Sequence, residues 1–289
     1  MRGLCDCAQN DGAMHDAATH RFLRDPRLPF VEARDATDAR AVGYGLHSHD
    51  TVSVGLVTGG RSTYVHERGA DEVEAGDVVL MNPGAMHACN PHAGSAWSYR
   101  MVYLDAGWWR RLQCDLDADR AGALREFDAT SLRDPALGAR VTRVCERLAD
   151  AHTSVLAREE AVVDLATALQ ARAAPSRGER PASPGLVRVA SLLTECCDRA
   201  FSLAELCAVA GLSEAHLVRS FKRRYGMTPH AFLIDRRLQR SRHELRRGRA
   251  IADVAAEFGF ADQAHLQRTF RRVWATTPGH YRAGITRAA

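Results

Sequence analysis

AELCAVAGLSEAHLVRSFKRRYGMTPHAF (Ala204 to Phe232) and ADVAAEFGFADQAHLQRTFRRVWATTPGHY (Ala252 to Tyr281) are one unit written twice. Gly211 matches Gly259, and after a one-residue insertion His216, Leu217, Arg219, Phe221, Arg223, Thr228 and Pro229 recur as His265, Leu266, Arg268, Phe270, Arg272, Thr277 and Pro278. A repeat of this kind governs the whole fold. Each copy reads as helix, glycine turn, basic helix, which is a helix-turn-helix whose second helix fits the major groove of DNA. In the first copy Leu203, Leu206, Cys207 and Ala210 share one helical face, and Gly211 ends that helix. Ser213 and Asp262 stand where the second helix of each copy needs an N-cap.

Leu217 and Phe221, four apart, are expected in the core, as are Leu266 and Phe270. Geometry then assigns Ala215, Val218, Arg219 and Lys222 to one outward stripe, and Ala264, Gln267, Arg268 and Arg271 to its counterpart. His216, Gln263 and His265 flank these stripes. Small residues let the helix approach the bases, Arg suits guanine and Gln suits adenine. A lone basic helix is more often a solvated face, but two matching stripes behind matching turns favour DNA. Residues 186–289 hold 18 Lys and Arg against 9 Asp and Glu, net +9, whereas residues 1–185 are net −5. The whole-chain +4 hides this split, which points the basic part at nucleic acid.

These residues resemble the AraC/XylS family of bacterial transcription regulators, most closely over GFADQAHLQRTFRRVWATTPGHYR, Gly259 to Arg282. The resemblance spans Leu186 to Arg282. It implies two helix-turn-helix units joined by a long helix near Pro229 to Arg247, and promoter DNA and RNA polymerase as partners. One departure is Ala275 where the first copy has Gly226, which is expected to alter the turn slightly.

A length of 289 residues and 46% hydrophobic content allow two domains. No apolar run is long enough to span a membrane, and the N-terminus has no apolar stretch of signal-peptide length, so a cytoplasmic protein is expected. Eight scattered cysteines read as thiols; Cys5-Asp-Cys7 is a C-x-C in what reads as a mobile tail over residues 1–29. Pro175 to Gly185, PSRGERPASPG, reads as a linker between a domain over residues 30–174 and the basic module over residues 186–289.

Between residues 30 and 104 short apolar runs alternate with glycine: Val42–Leu46, Thr51–Val57, Ser62–His66, Val78–Met81 and Ser98–Leu104. That spacing predicts a sandwich or barrel. His47-Ser-His49 and Gly76-Asp-Val-Val-Leu-Met-Asn-Pro-Gly-Ala-Met-His87 resemble the two motifs of a cupin, a small jelly-roll barrel, and the sensor domain that precedes this DNA module. The fold class expected is thus two-domain α+β: a cupin-like jelly-roll barrel with flanking helices, then an all-α domain of two helix-turn-helix units. Residues 106–172 return to helical patterning, with Val141, Val144, Cys145 and Leu148 on one stripe and Leu156, Val162, Val163, Leu165 and Leu169 on another. Gly107-Trp108-Trp109 looks like the passage from barrel to helices, and the resemblance implies a homodimer through such helices.

Enzymatic cupins place metal ligands where His47, His49 and His87 stand, but the expected glutamate is replaced by Ser53 and Val54, and Pro83 is shifted by one. The expectation is therefore no metal, no cofactor and no enzyme, with the histidines as a polar patch. The alternative is a metal-dependent cupin enzyme fused to DNA-binding helices. An alkylation-repair protein would need a Pro-Cys-His acceptor, and no cysteine follows Pro. The function expected is a ligand-responsive transcription regulator, activator or repressor. His47, His49, Arg61, Tyr64, His87, Trp97, Tyr99 and Arg100 are the candidate effector contacts, with Val54, Leu56 and Leu80 as apolar walls. The arginines favour an amino acid or organic acid over a neutral sugar. A one-residue slip in strand register would invert that list.

Overall fold

The structure, a computed structural model, describes residues 19–37, 44–92, 96–116, 124–173 and 183–284. The N-terminal half is built from strands β1 (Thr19–Leu23), β2 (Val31–Thr37), β3 (Thr51–Gly59), β4 (Arg61–His66), β5 (Gly69–Glu74), β6 (Asp77–Met81), β7 (His87–Pro91), β8 (Ser98–Asp105) and β9 (Ser131–Arg133). All ladders are antiparallel, forming a six-stranded sheet in the order β1-β2-β8-β3-β6-β9 and a three-stranded sheet in the order β5-β4-β7. This corrects the expected jelly-roll barrel: the described strands form two separate sheets and close no barrel, and an isolated bridge pairs His47, in the segment before β3, with His87 at the start of β7.

Alternation along β8 explains the layering. Val102 and Leu104 face helices α1 (Ala106–Leu116), α2 (Pro135–Ala149) and α3 (Val155–Gln170), in one core with Val52, Val54, Val78 and Leu80. Tyr99, Met101 and Tyr103 face the other way, in a second core with Tyr64, Val79, Met81 and Trp97. Trp109 is fully buried at the start of α1, where β8 passes into the helices as expected. Asp134 and Ser154 cap α2 and α3 through the amides of Leu137 and Ala157.

Two boundaries differ from expectation. Part of the segment expected to be a tail is structure: β1 pairs along β2, Phe22 enters the core of the C-terminal half, and Asp25 accepts from buried Arg158 at 2.5 Å. The linker ends earlier, because Pro184 starts helix α4 (Pro184–Glu195), where proline suits the first turn. Cys5 and Cys7, residues 42–43 of the run Val42–Leu46, and the rest of the linker through residue 182 lie outside the described residues; Tyr44–Leu46 is not strand.

The C-terminal half continues with α5 (Leu203–Ala210), α6 (Glu214–Tyr225), α7 (Pro229–Arg246), α8 (Ile251–Glu257), α9 (Gln263–Trp274) and α10 (Pro278–Ala283). Leu217, Phe221, Leu266 and Phe270 are fully buried. Ala275 keeps the left-handed turn of Gly226 in slightly altered form: φ +54°, ψ +23° against φ +74°, ψ −12°, with its amide donating to the Arg271 carbonyl. Gly259 is required twice over, with φ +70° and only 2.4 Å between the place a Cβ would occupy and the Asp198 carbonyl.

Candidate DNA interface and effector cavity

α5–α6 and α8–α9 form the two helix-turn-helix units, and the stripes lie where the repeat put them. Ala215, His216, Arg219, Lys222, Gln263, Ala264, Gln267, Arg268 and Arg271 are exposed, while Val218 and His265 are half-buried. Asp262 accepts from the His265 amide at 2.6 Å and caps α9; Ser213 occupies the cap position of α6 without a side-chain bond. Arg237 on α7 holds the units together. Its guanidinium donates to the Cys197 and Arg199 carbonyls before the first unit, at 2.7 and 2.9 Å, and to the Gly259 carbonyl of the second at 2.5 Å.

The N-terminal half docks on the back of this module. Gly45 N–H donates to the Arg272 carbonyl and Gly226 packs against Met86, so the contact uses the C-terminal ends of α6 and α9 and leaves the stripes exposed. Glu32 on β2 is its ionic centre. Arg24, Arg242 and Arg246 approach its carboxylate at 2.7, 3.5 and 3.5 Å, and the Tyr281 hydroxyl donates to it at 3.0 Å. Burial alone would raise this carboxyl; the three guanidinium charges hold it down to about 2. Asp235 on α7 accepts from both the amide and the hydroxyl of Ser48, and Gln239 donates to the Ser48 carbonyl. Ser48, flanked by His47 and His49, is thus gripped by the helix that joins the two DNA-reading units.

A cavity of about 50 Å³ lies between the sheets. Of the candidate effector contacts, His47, His49, His87, Trp97 and Tyr99 line it, joined by Arg34, Tyr44, Tyr103 and, from α9, Trp274. Arg61 points out to Glu74 at 3.0 Å, Arg100 lies on the helix side near Asp35 and Glu146, and Tyr64 is buried beside the cavity with its hydroxyl on the Leu80 carbonyl. Val54 and Leu80 face the helices, so that part of the list is inverted by one residue; Gly55, Val79 and Met81 take their places, whereas Leu56 also lines the cavity. Arg34 was not foreseen. It is 2% exposed and donates to the Trp274 carbonyl at 3.0 Å, and its buried Nε has no hydrogen-bond partner. Its signal was Glu32-Ala-Arg34 in a strand, two like-facing charges at period 2.

His47, His49 and His87 converge, with ring centroids 4.5–4.9 Å apart. Burial lowers the basicity of all three: His47 to about 4, His87 to about 3, His49 well below the ordinary value. They are neutral imidazoles at physiological pH, competent as hydrogen-bond acceptors or metal ligands. Trp274 packs on them, 5.4 Å from His47 and 4.9 Å from His49.

Residues 30–166 match the AraC-like ligand binding domain, and residues 206–284 match a helix-turn-helix domain. The chain is 25% identical over 224 residues to the HTH-type transcriptional regulator YbfI of Bacillus subtilis, covering 76% of this chain and 80% of that one. MtrA of Neisseria gonorrhoeae, an HTH-type transcriptional regulator, is 34% identical over 83 residues, 28% of each chain. Among solved structures, apo ToxT K231A of Vibrio cholerae shares the fold over 93% of this chain and 97% of that one, with TM-score 0.55 and 12% identity. No helix among the described residues is long and apolar enough to cross a membrane.

Proposed function

The chain belongs to the AraC family of transcription regulators, an AraC-like ligand-binding domain followed by a helix-turn-helix DNA-binding domain, and from this we propose that its effector is a small carboxylate whose entry displaces Trp274. The carrying observation is the roof of the cavity: it belongs to a recognition helix. A space of about 50 Å³ is well below the roughly 300–1,000 Å³ of ordinary ligand sites. An organic effector therefore fits only as Trp274 withdraws, which loosens α9 from the N-terminal half. Binding and release of the DNA module are then one equilibrium, shifted by the effector's differential affinity for the two states.

The chemistry favours an acid with an apolar body. Arg34 offers an unpartnered Nε, and a guanidinium suits a carboxylate. Trp97, Tyr99, Met101 and Tyr103 offer apolar walls. ToxT has been solved with an unsaturated fatty acid and with a naphthalenyl-butenoic acid. The sequence expectation of an amino acid or organic acid is kept in this form. No Asp or Glu lines the cavity among the described residues, and the reading calls on no catalysis. The protein is proposed to work in the cytoplasm, contacting promoter DNA and RNA polymerase. Homodimerisation is proposed through α3, where Leu156 and Val163 stand exposed seven residues apart.

A thermal-shift screen of the full chain against carboxylates and neutral sugars tests this. A true effector stabilises by about 2.7 kcal/mol at a hundredfold excess over Kd. The expected hit is a carboxylate, with a change in tryptophan emission and a weakened response in Arg34→Lys. A response to sugars alone, or a carboxylate response unchanged in Arg34→Lys, would overturn the assignment.

A further inference from the structure

The two backbone hydrogen bonds between residues 47 and 87, at 3.0 and 2.8 Å, bring the His47-Ser-His49 segment against the start of β7. The outer nitrogens of two rings are then fixed. His47 Nδ1 lies 2.7 Å from the Gly45 carbonyl and His87 Nδ1 lies 2.9 Å from the Ala85 carbonyl. A carbonyl only accepts, so each Nδ1 carries the hydrogen and each Nε2 of the neutral ring keeps its lone pair. His49 is 3% exposed, and its Nδ1 has no hydrogen-bond partner. One ring nitrogen from each histidine lies within 4.8 Å of the other two. Three acceptor-bearing rings gathered in an apolar cavity are mutually unfavourable unless something electrophilic is shared among them. Backbone carbonyls orienting the far nitrogens are the usual support of imidazole ligands to a metal.

We propose that His47, His49 and His87 form a three-imidazole site for a divalent transition-metal ion of the zinc class, with its fourth position open to the cavity. Imidazole suits zinc, copper, iron and nickel, and three protein ligands leave a position for an exchangeable group. Zinc at about 2.0–2.1 Å from each nitrogen sets them roughly 3.3 Å apart, so the rings close in by about an ångström or more. The charged groups around the triad choose the fourth ligand. Arg34 and Arg242 face it with positive charge, and Asp235 offers negative charge near His87. A dication beside two arginines calls for an anion, hydroxide or carboxylate, at the open position. The absence of a fourth protein carboxylate, read in the sequence as evidence against metal, is what leaves that position free.

The site also lies on the seam between the domains. Ser48, between two of the ligands, is held by Asp235 and Gln239 of α7, and Trp274 of α9 packs on two of the rings. Drawing the rings together thus moves groups in contact with α9 and with α7, the helix that joins the two DNA-reading units. The site goes beyond the effector reading, since it requires no organic ligand.

The test uses the purified full chain, stripped with chelator and free of DNA and of any candidate effector. Zn²⁺ titration by calorimetry should give one equivalent per chain. Co²⁺ should give the visible bands of a four-coordinate, nitrogen-ligated ion. His87→Ala should weaken Zn²⁺ binding more than about 100-fold, beyond the loss typical of supporting residues. His49→Gln, which preserves volume, should do the same while melting as a folded protein. Binding unchanged in both variants, or no binding by folded wild type, would overturn the site. Either result leaves the carboxylate screen unaffected, so the two readings fail separately.

Discussion

Glu32→Ala is expected to undock the two halves of the protein. The carboxylate is 2% exposed and is shared by Arg24, Arg242 and Arg246, with Tyr281 donating to it. Arg242 is itself buried, its guanidinium stacked 4.5 Å over the Trp274 ring. Removing the anion leaves buried cations facing one another, and breaking such a cluster costs about 3–5 kcal/mol. Calorimetry of the variant should show the DNA-binding half melting separately and earlier; a single transition at the wild-type temperature would refute the role given to Glu32. The sign with pH follows from a carboxyl held at about 2 against an ordinary 4.5. Its contribution is complete above about pH 4.5 and is lost as pH falls towards 2. Wild type should therefore lose docking over that range by a step that Glu32→Ala lacks.

Arg237→Ala is expected to cut DNA affinity without touching any DNA-facing residue. It removes three hydrogen bonds from a charged donor, at about 1.5–3 kcal/mol each before relaxation, and leaves three carbonyls without it. A loss of about 3 kcal/mol or more in the stability of the C-terminal half is expected. The two recognition helices then lose their fixed spacing. Two linked contacts bind tightly only while their geometry allows both to engage at once. Footprinting should show protection shrinking towards one half-site; full protection at wild-type affinity would mean that α7 alone sets the spacing.

The C-terminal half was legible because its information is local. Apolar spacing, caps and glycines repeat in register, and the stripes around Arg219 and Arg268 emerged on the exposed face. Even Ala275, which broke the pattern, took a left-handed turn like that of its counterpart, with its amide closing the last turn of α9 onto the Arg271 carbonyl. The sheets were half legible. Runs such as Thr51–Val57 gave the strands, but nothing local says which face of a twisted sheet meets helices and which meets a cavity. Leu80 and Val79 exchange roles on that choice alone. The histidine cluster was visible as a motif. Arg34 and Trp274 were not, because one depends on strand register and the other on the docking of two distant segments.

The central claim, that two matched helices read DNA, is tested most directly by fluorescence anisotropy on a duplex selected from a random pool by the wild-type chain. At fixed salt, Arg219→Ala and Arg268→Ala should each weaken binding by about 1–3 kcal/mol, roughly 5- to 150-fold, with discrimination relaxed at one base step. Wild-type affinity should fall steeply with salt. If both variants bind the selected and a scrambled duplex as tightly as wild type does, the stripes are solvated surface and the account is wrong.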